Sequence, residues 1–333
     1  ELRFGVCLKC GSDCRSRVRA DVVIIGAGIS GLTTATLLAP HKSVVVLEAN
    51  EVGSGTTGRS TGNLYVTVDK HMSGLVDKWG QEVARQVLES RGAALGFVRR
   101  TAESVDCDLV EADFCYFAES SKEKTLEFLN REQEAMECVG LVPRRDDIRL
   151  PFAGATLSVP GQAQMNPLKY ARGLAAQLAD TAVVREQCPV VEFDAAQGRV
   201  LTANGLEVEA DTIVLATHTP KGVHLLHPML SAVREYGVAA RIGEPHLPPG
   251  IFWRADQPKR SLRSYYSGGR AYAVAIGESC KTGQHKNPNE DLRDLEEYLR
   301  ARLAVEEITH RWGAQSYQPA DGLPYIGAWD DRV

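Results

Sequence analysis

Two kinds of apolar spacing alternate along the chain. Val22 to Ile25, Ser43 to Leu47 and Asp211 to Thr217 are short runs rich in β-branched residues, the pattern of strands buried on both faces. Helical spacing appears where Leu75, Trp79, Val83, Val87, Leu88, Leu95 and Val98 recur, predicting a long helix over 74–101. Leu126, Leu129 and Met136 predict a second over 122–138. Asn166-Pro167 starts a third, with Asn as N-cap and Pro in the first turn, and Leu168, Ala171, Leu174, Ala175 and Leu178 on one face. Asn287-Pro288-x-Glu290 starts a fourth, with a stripe of Leu292, Leu295, Leu299 and Leu303.

Between these lie strand patterns. Cys107 to Ala118 reads as two short strands. Val183-Val184, Pro189-Val190-Val191 and Phe193 alternate as a single one. Arg199 to Thr202 and Leu206 to Glu209 form a hairpin about Asn204-Gly205. Residues 236–242, 250–254, 261–267 and 271–277 read as antiparallel strands of a second domain.

The chain has 333 residues, 44% of them hydrophobic and 24% charged, an ordinary globular composition of a length suited to two domains. A net charge of −5 gives no reason to expect nucleic acid or an anionic membrane as partner. The apolar run from Val22 to Ala39 is broken by Gly26, Gly28 and Gly31, so it reads as a βα unit and not a membrane span. Five basic residues and no apolar core mark the first 20 residues, so no secretory leader is visible there and a cytoplasmic protein is expected. Residues 1–20 read as a basic, cysteine-containing tail. Cys7, Cys10 and Cys14 lack a fourth nearby ligand for a metal and the βαβ context of a redox dithiol, so no metal site is expected. The other cysteines, from Cys107 onward, read as small buried apolar residues.

One stretch carries chemistry. Gly26-x-Gly28-x-x-Gly31 follows a strand directly and opens a helix. Gly26 permits a tight turn, Gly28 lets the backbone approach a pyrophosphate, and Gly31 lets the helix lie close on the strand. The helix start, with Ile29 and Ser30, offers free N–H groups and partial positive charge to phosphates. Glu48, 17 residues past Gly31 and followed by Ala49, stands where a carboxylate takes the ribose hydroxyls of an adenosine. The loop that follows is dense in glycine and hydroxyls. Its Gly55, Thr56, Thr57, Ser60, Thr61 and Gly62 suit a polar cofactor chain.

The Gly26–Gly31 motif with Glu48, Val52-Gly53-Ser54-Gly55-Thr56-Thr57 and Asp321-Gly322-Leu323-Pro324 with Gly327 together resemble FAD-dependent oxidoreductases of the D-amino-acid oxidase superfamily. Gly58-x-Ser60-Thr61-Gly62-Asn63-Leu64-Tyr65 resembles a bacterial branch whose flavin domain is often followed by a Rieske iron–sulfur domain. The resemblance runs from Asp21 to the end of the chain. It implies an α/β fold: a Rossmann-like FAD-binding domain of glutathione-reductase type, with an inserted α+β substrate domain on an antiparallel sheet. Residues 21–70, 150–220 and 308–333 would form the first, and 71–149 with 221–307 the second. The resemblance also implies that the backbone of Val190 meets the adenine and that Ala216, Thr217 and Gly327 lie close to the dinucleotide. His218 stands where the family usually has glycine, and reads as a loop residue.

In amino-acid oxidases of this superfamily an arginine five residues before the closing aspartate clamps the substrate carboxylate. Here that residue is Ser316, unless Arg241, Arg263 or Arg311 substitutes. The chemistry implied is oxidation of an amine or amino-acid derivative by hydride transfer to the flavin, with a Rieske domain or another acceptor taking the electrons. Tyr65, Tyr265, Tyr266 and Ser316 are the substrate-side candidates. Two alternatives remain at this point: an NAD-binding Rossmann enzyme, which the loop after Glu48 disfavours, and a shortened flavin-poor homologue without independent catalysis. The family's final strand, glycine turn and helix are not found before Val333, so the chain is expected to be a fragment or a shortened product.

Overall fold

A computed structural model describes residues 17–120, 122–219, 228–245, 247–284 and 287–328. Cys7, Cys10 and Cys14 lie outside the described residues. In chain order, β1 (Arg17–Ile25), α1 (Ile29–Leu38) and β2 (Val44–Leu47) precede β3 (Asn63–Leu64), α2 (Met72–Ala102), β4 (Val110–Ala118), α3 (Glu123–Cys138), β5 (Arg144–Arg145), β6 (Ala155–Gln164) and α4 (Pro167–Gln177). Next come β7 (Val183–Arg185), β8 (Val190–Asp194), β9 (Arg199–Thr202) and β10 (Glu207–Leu215). The last are β11 (Leu230–Ile242), β12 (Gly250–Arg254), β13 (Ser261–Ser267), β14 (Arg270–Lys281), α5 (Pro288–Arg300) and β15 (Val305–Pro319).

The described residues fall into two compact units, 17–54 with 171–219 and 326–328, and 55–170 with 228–325. The first holds a sheet in the order β7-β2-β1-β10-β9-β8. β7, β2, β1 and β10 run parallel, and β10, β9 and β8 continue antiparallel. Val23, Ile24, Val45 and Val46 are fully buried at its centre, as their unbroken apolar runs require.

The second unit is built on a sheet in the order β15-β11-β14-β13-β12-β4-β6-β3, with β5 beside β6. It is antiparallel except that β12 runs parallel to β4, a departure from the expected all-antiparallel sheet. Strand alternation separates its two faces. Cys115, Phe117, Phe252, Leu262, Val238 and Ala240 point to one face and pack on Leu295 and Leu299 of α5. Phe114, Tyr116, Leu157, Val159 and Ile251 point to the other and pack on Leu75 and Leu95 of α2 and Leu129 and Met136 of α3. These helices therefore cover opposite faces at opposite ends of the sheet.

Several expectations need correction. Residues 55–70, 150–170 and 308–325, expected in the nucleotide-binding domain, belong to the second unit, because β3, β6 and β15 hydrogen-bond into its sheet. Residues 17–20 are not tail but the start of β1, paired with β10. The two short strands of Cys107–Ala118 are one strand, β4, whose register shifts between Ala112 and Phe114. Val183–Phe193 is not one strand but two, β7 and β8, at opposite edges of their sheet. Trp79 faces outward, 41% exposed, and its indole N–H donates to the Asp321 carbonyl at 3.1 Å. The N-caps stand as read. Asn166 Oδ1 accepts from the N–H groups of Leu168 and Lys169, and Asn287 from that of Asn289.

Candidate functional site

In the first unit the β1–α1 turn requires its glycines. Gly26 has φ +108°, and a Cβ there would lie 2.5 Å from the Ala216 carbonyl oxygen. A Cβ on Gly31 would lie 2.0 Å from the Gly26 oxygen. The turn is thus held between β2 and the end of β10, with Gly26 N–H on the Leu47 carbonyl and Ala216 N–H on that of Ile25. Gly28 is the N-cap of α1, and it has no side chain to cap the first N–H groups. Glu48 folds back onto the turn. Its carboxylate accepts from the N–H of Ala27 at 2.8 Å and of Asn50 at 2.9 Å.

Gly26, Gly28, Ile29, Ser30, Gly31, Glu48, Ala49, Ala216 and Thr217 thus meet at one end of the parallel strands. Val190 starts β8 at the sheet edge, yet two residues earlier the Cys188 N–H donates to the Glu48 carbonyl at 2.8 Å. Gly327 lies in an irregular segment with no atom within 4 Å of where its Cβ would be. His218, just past Thr217, sits in a loop at φ +62°.

Gly55, Thr56, Thr57, Ser60, Thr61 and Gly62 lie in the second unit and are described within it. The register places Ser316, Ala314 and Trp312 of β15 opposite Val233, Glu235 and Gly237 of β11, and Arg263 and Tyr265 of β13 opposite Val274 and Tyr272 of β14. β11 and β14 pair Ala239 with Val274, so all of these share the face opposite α5. The glycine-rich loop is fastened over this face. Trp312 lies across Gly237, whose Cβ would come 2.4 Å from the indole, and donates its Nε1–H to the Arg59 carbonyl at 3.1 Å. Gly62, at φ +68°, packs against the Met165 carbonyl and the Arg263 guanidinium.

Tyr65, which follows this loop, stacks edge-on against Trp253 at 5.6 Å and beside Phe114 at 5.2 Å. Its hydroxyl donates to Asp69 at 2.8 Å. Burial, reinforced by the Asp69 charge, pushes the phenol well above its ordinary pKa, so it stays protonated. The Tyr265 hydroxyl donates to Asp108 at 3.3 Å. Tyr266 points to the face opposite Tyr265, where its hydroxyl donates to the Leu247 carbonyl at 2.8 Å.

Two residues were not legible as part of this face. Glu235 carries no motif in the sequence; burial, and then Asp69, raise its carboxyl above its ordinary pKa. Arg263 was one of three interchangeable arginines. Only the register across β15, β11, β14 and β13 places both beside Ser316's face.

A family model described as FAD dependent oxidoreductase, DAO, matches residues 21–333. YhfW of Bacillus subtilis, which bears the name of a Rieske 2Fe-2S iron–sulfur protein, is 28% identical over 324 residues, covering 94% of this chain and 62% of its own. Gamma-glutamylputrescine oxidoreductase of Escherichia coli is 27% identical over 167 residues, 47% of this chain and 38% of its own. The chain thus spans less than two thirds of the length of these curated relatives. Among solved structures, glycine oxidase from Geobacillus kaustophilus superposes with a TM-score of 0.77 at 20% identity, over 95% of this chain and 87% of that one. L-proline dehydrogenase from P. horikoshii gives 0.73 at 16% identity, over 95% and 86%.

Proposed function

Since this chain belongs to the DAO family of FAD-dependent oxidoreductases, we propose that it oxidises a carbon–nitrogen bond of an amine or amino-acid derivative. The observation that carries the cofactor side is the β1–α1 turn, where added Cβ atoms at Gly26 and Gly31 would strike backbone. The turn fits the dinucleotide. The first N–H groups of α1 have no side-chain cap and suit a diphosphate. Glu48 keeps lone pairs for ribose hydroxyls beyond its two backbone bonds.

FAD, held by the β1–α1 turn and Glu48, would supply the two-electron acceptor for oxidation of a carbon–nitrogen bond. The protein's tasks are to hold, orient and keep dry. Tyr65, a protonated phenol tied to Asp69, is a wall and hydrogen-bonding group and not a base. Tyr265 and Ser316 share one half-buried face on which a substrate can be oriented. Trp312 and Ile276 fill the space over Gly237 on that face. The iron–sulfur name of YhfW and the motif from Gly58 to Tyr65 support an iron–sulfur electron acceptor outside these residues.

Reconstitution tests the reading. The purified chain, given FAD and desalted, is expected to retain one flavin per chain with a perturbed visible spectrum. Retention of none, with the chain folded, contradicts it.

A further inference from the structure

We propose that Arg263 takes the carboxylate of the substrate, replacing the arginine that is absent at Ser316. The inference deepens the flavoenzyme reading and rests on it for the identity of the ligand. Of the three arginines that could substitute, two are engaged. Arg241 pairs with Glu306 and Glu307, both at 2.8 Å. Arg311 pairs with Glu296 and lies opposite Val238, on the α5 face. Arg263 lies on the face of Ser316, Glu235 and Tyr265.

Its environment is unusual for a buried cation. Arg263 is 5% exposed and has no ion-pair partner among the described residues. Nη1 donates to the Met165 carbonyl at 3.1 Å. Nε is buried and has no acceptor. The carboxylate whose charge it feels, Asp108, is held by Lys169 Nζ at 2.7 Å and the Tyr265 hydroxyl at 3.3 Å. Three other internal arginines of this unit are paired with carboxylates: Arg254 and Arg302 with Glu119, and Arg260 with Glu278.

An uncompensated guanidinium is costly to bury and is retained where an anion completes it. Burial lowers its pKa to about 10, so it stays charged at neutral pH. With Nη1 engaged and Nε enclosed without an acceptor, Nη2 makes no hydrogen bond to the described residues and is the nitrogen left to meet a carboxylate oxygen. Gly62 leaves room for the guanidinium, since a Cβ there would lie 3.1 Å from Nη1 and 2.1 Å from the Met165 oxygen that Nη1 meets.

The test is calorimetric titration of the FAD-loaded chain with benzoate and with benzamide, its neutral isostere. Wild type is expected to bind benzoate and not benzamide. Arg263→Met is expected to weaken benzoate at least tenfold, and Arg263→Lys, which keeps the charge but loses the fork, by less, with FAD content and circular dichroism unchanged. Undiminished benzoate affinity in Arg263→Met overturns the proposal, as does a folded, FAD-loaded wild type that binds no benzoate. A folded Arg263→Met chain that has lost FAD also overturns it, assigning the guanidinium to the cofactor. Should Arg263→Met not fold, undiminished affinity in Arg263→Lys overturns it. If wild type retains no FAD, the flavoenzyme reading fails separately. The same titration of the FAD-free chain then supports Arg263 as an anion site if Arg263→Met abolishes benzoate binding, and overturns it otherwise.

Discussion

Gly31 leaves no room for one methyl group, because the Gly26 oxygen already occupies the place at 2.0 Å. Gly31→Ala is expected to cost about 2 kcal/mol of stability through backbone displacement. It should also lower FAD retention at least tenfold, both read by denaturant unfolding and flavin titration. His71 makes a second prediction. Lys259 can only donate, so its ammonium 2.8 Å from Nε2 leaves the proton on Nδ1, which donates to the Tyr116 oxygen at 2.9 Å. Burial, then Lys259 and Lys70, lower the His71 pKa to about 4. The neutral ring therefore supports the fold fully above the unfolded value of 6.5, and this support is lost as pH falls toward 4. The loss amounts to about 3 kcal/mol at its limit. Unfolding at about pH 7 and about pH 4 should show a smaller acid loss in His71→Gln; an equal loss counts against the assignment. At this scale Gly26, Gly31 and Glu48 could be read from the sequence because their roles are local. Glu235 could not, and Arg263 only as one of three arginines, since register across four strands decides where they face.

At the scale of elements, the loop over 55–62 is held to the sheet by Trp312 and closed by Gly62. Trp312→Phe keeps most of the packing but removes the bond to the Arg59 carbonyl, a loss of about 1 kcal/mol. Trypsin should then cut after Arg59 several-fold faster; unchanged cleavage would show that the indole N–H does not hold the loop. The elements read best were those with long periodicity or a cap, such as α2, α4 and α5. Those misread show why. The residues of β7 and β8 share one apolar pattern, yet β7 pairs parallel with β2 while β8 closes an antiparallel meander on β9. Asp113 interrupts the pattern of β4 at the register shift, which makes one strand look like two. The closing motif pulled residues 308–325 toward the nucleotide-binding unit, whereas β15 pairs along its length with β11.

Across the whole chain, each unit carries one part of the chemistry: the first a glycine turn with Glu48, the second a half-buried face bearing Ser316, Tyr265, Glu235 and Arg263. Among the described residues no helix is long and apolar enough to cross a membrane. Electron transfer gives a prediction at this scale. If an iron–sulfur centre is the natural acceptor, the reduced, FAD-loaded chain should be reoxidised slowly by oxygen and rapidly by a one-electron acceptor such as ferricyanide, followed by stopped flow. Oxygen outpacing ferricyanide would make the protein an oxidase. Anaerobic flavin bleaching distinguishes oxidation at carbon–nitrogen from oxidation at carbon–oxygen. The FAD-loaded chain should be mixed with amines and amino-acid derivatives, and with the matched alcohols and hydroxy acids. Bleaching by a nitrogen compound but not by its hydroxyl counterpart is the predicted result; bleaching by the hydroxyl compounds alone, or only by NADH, would contradict it.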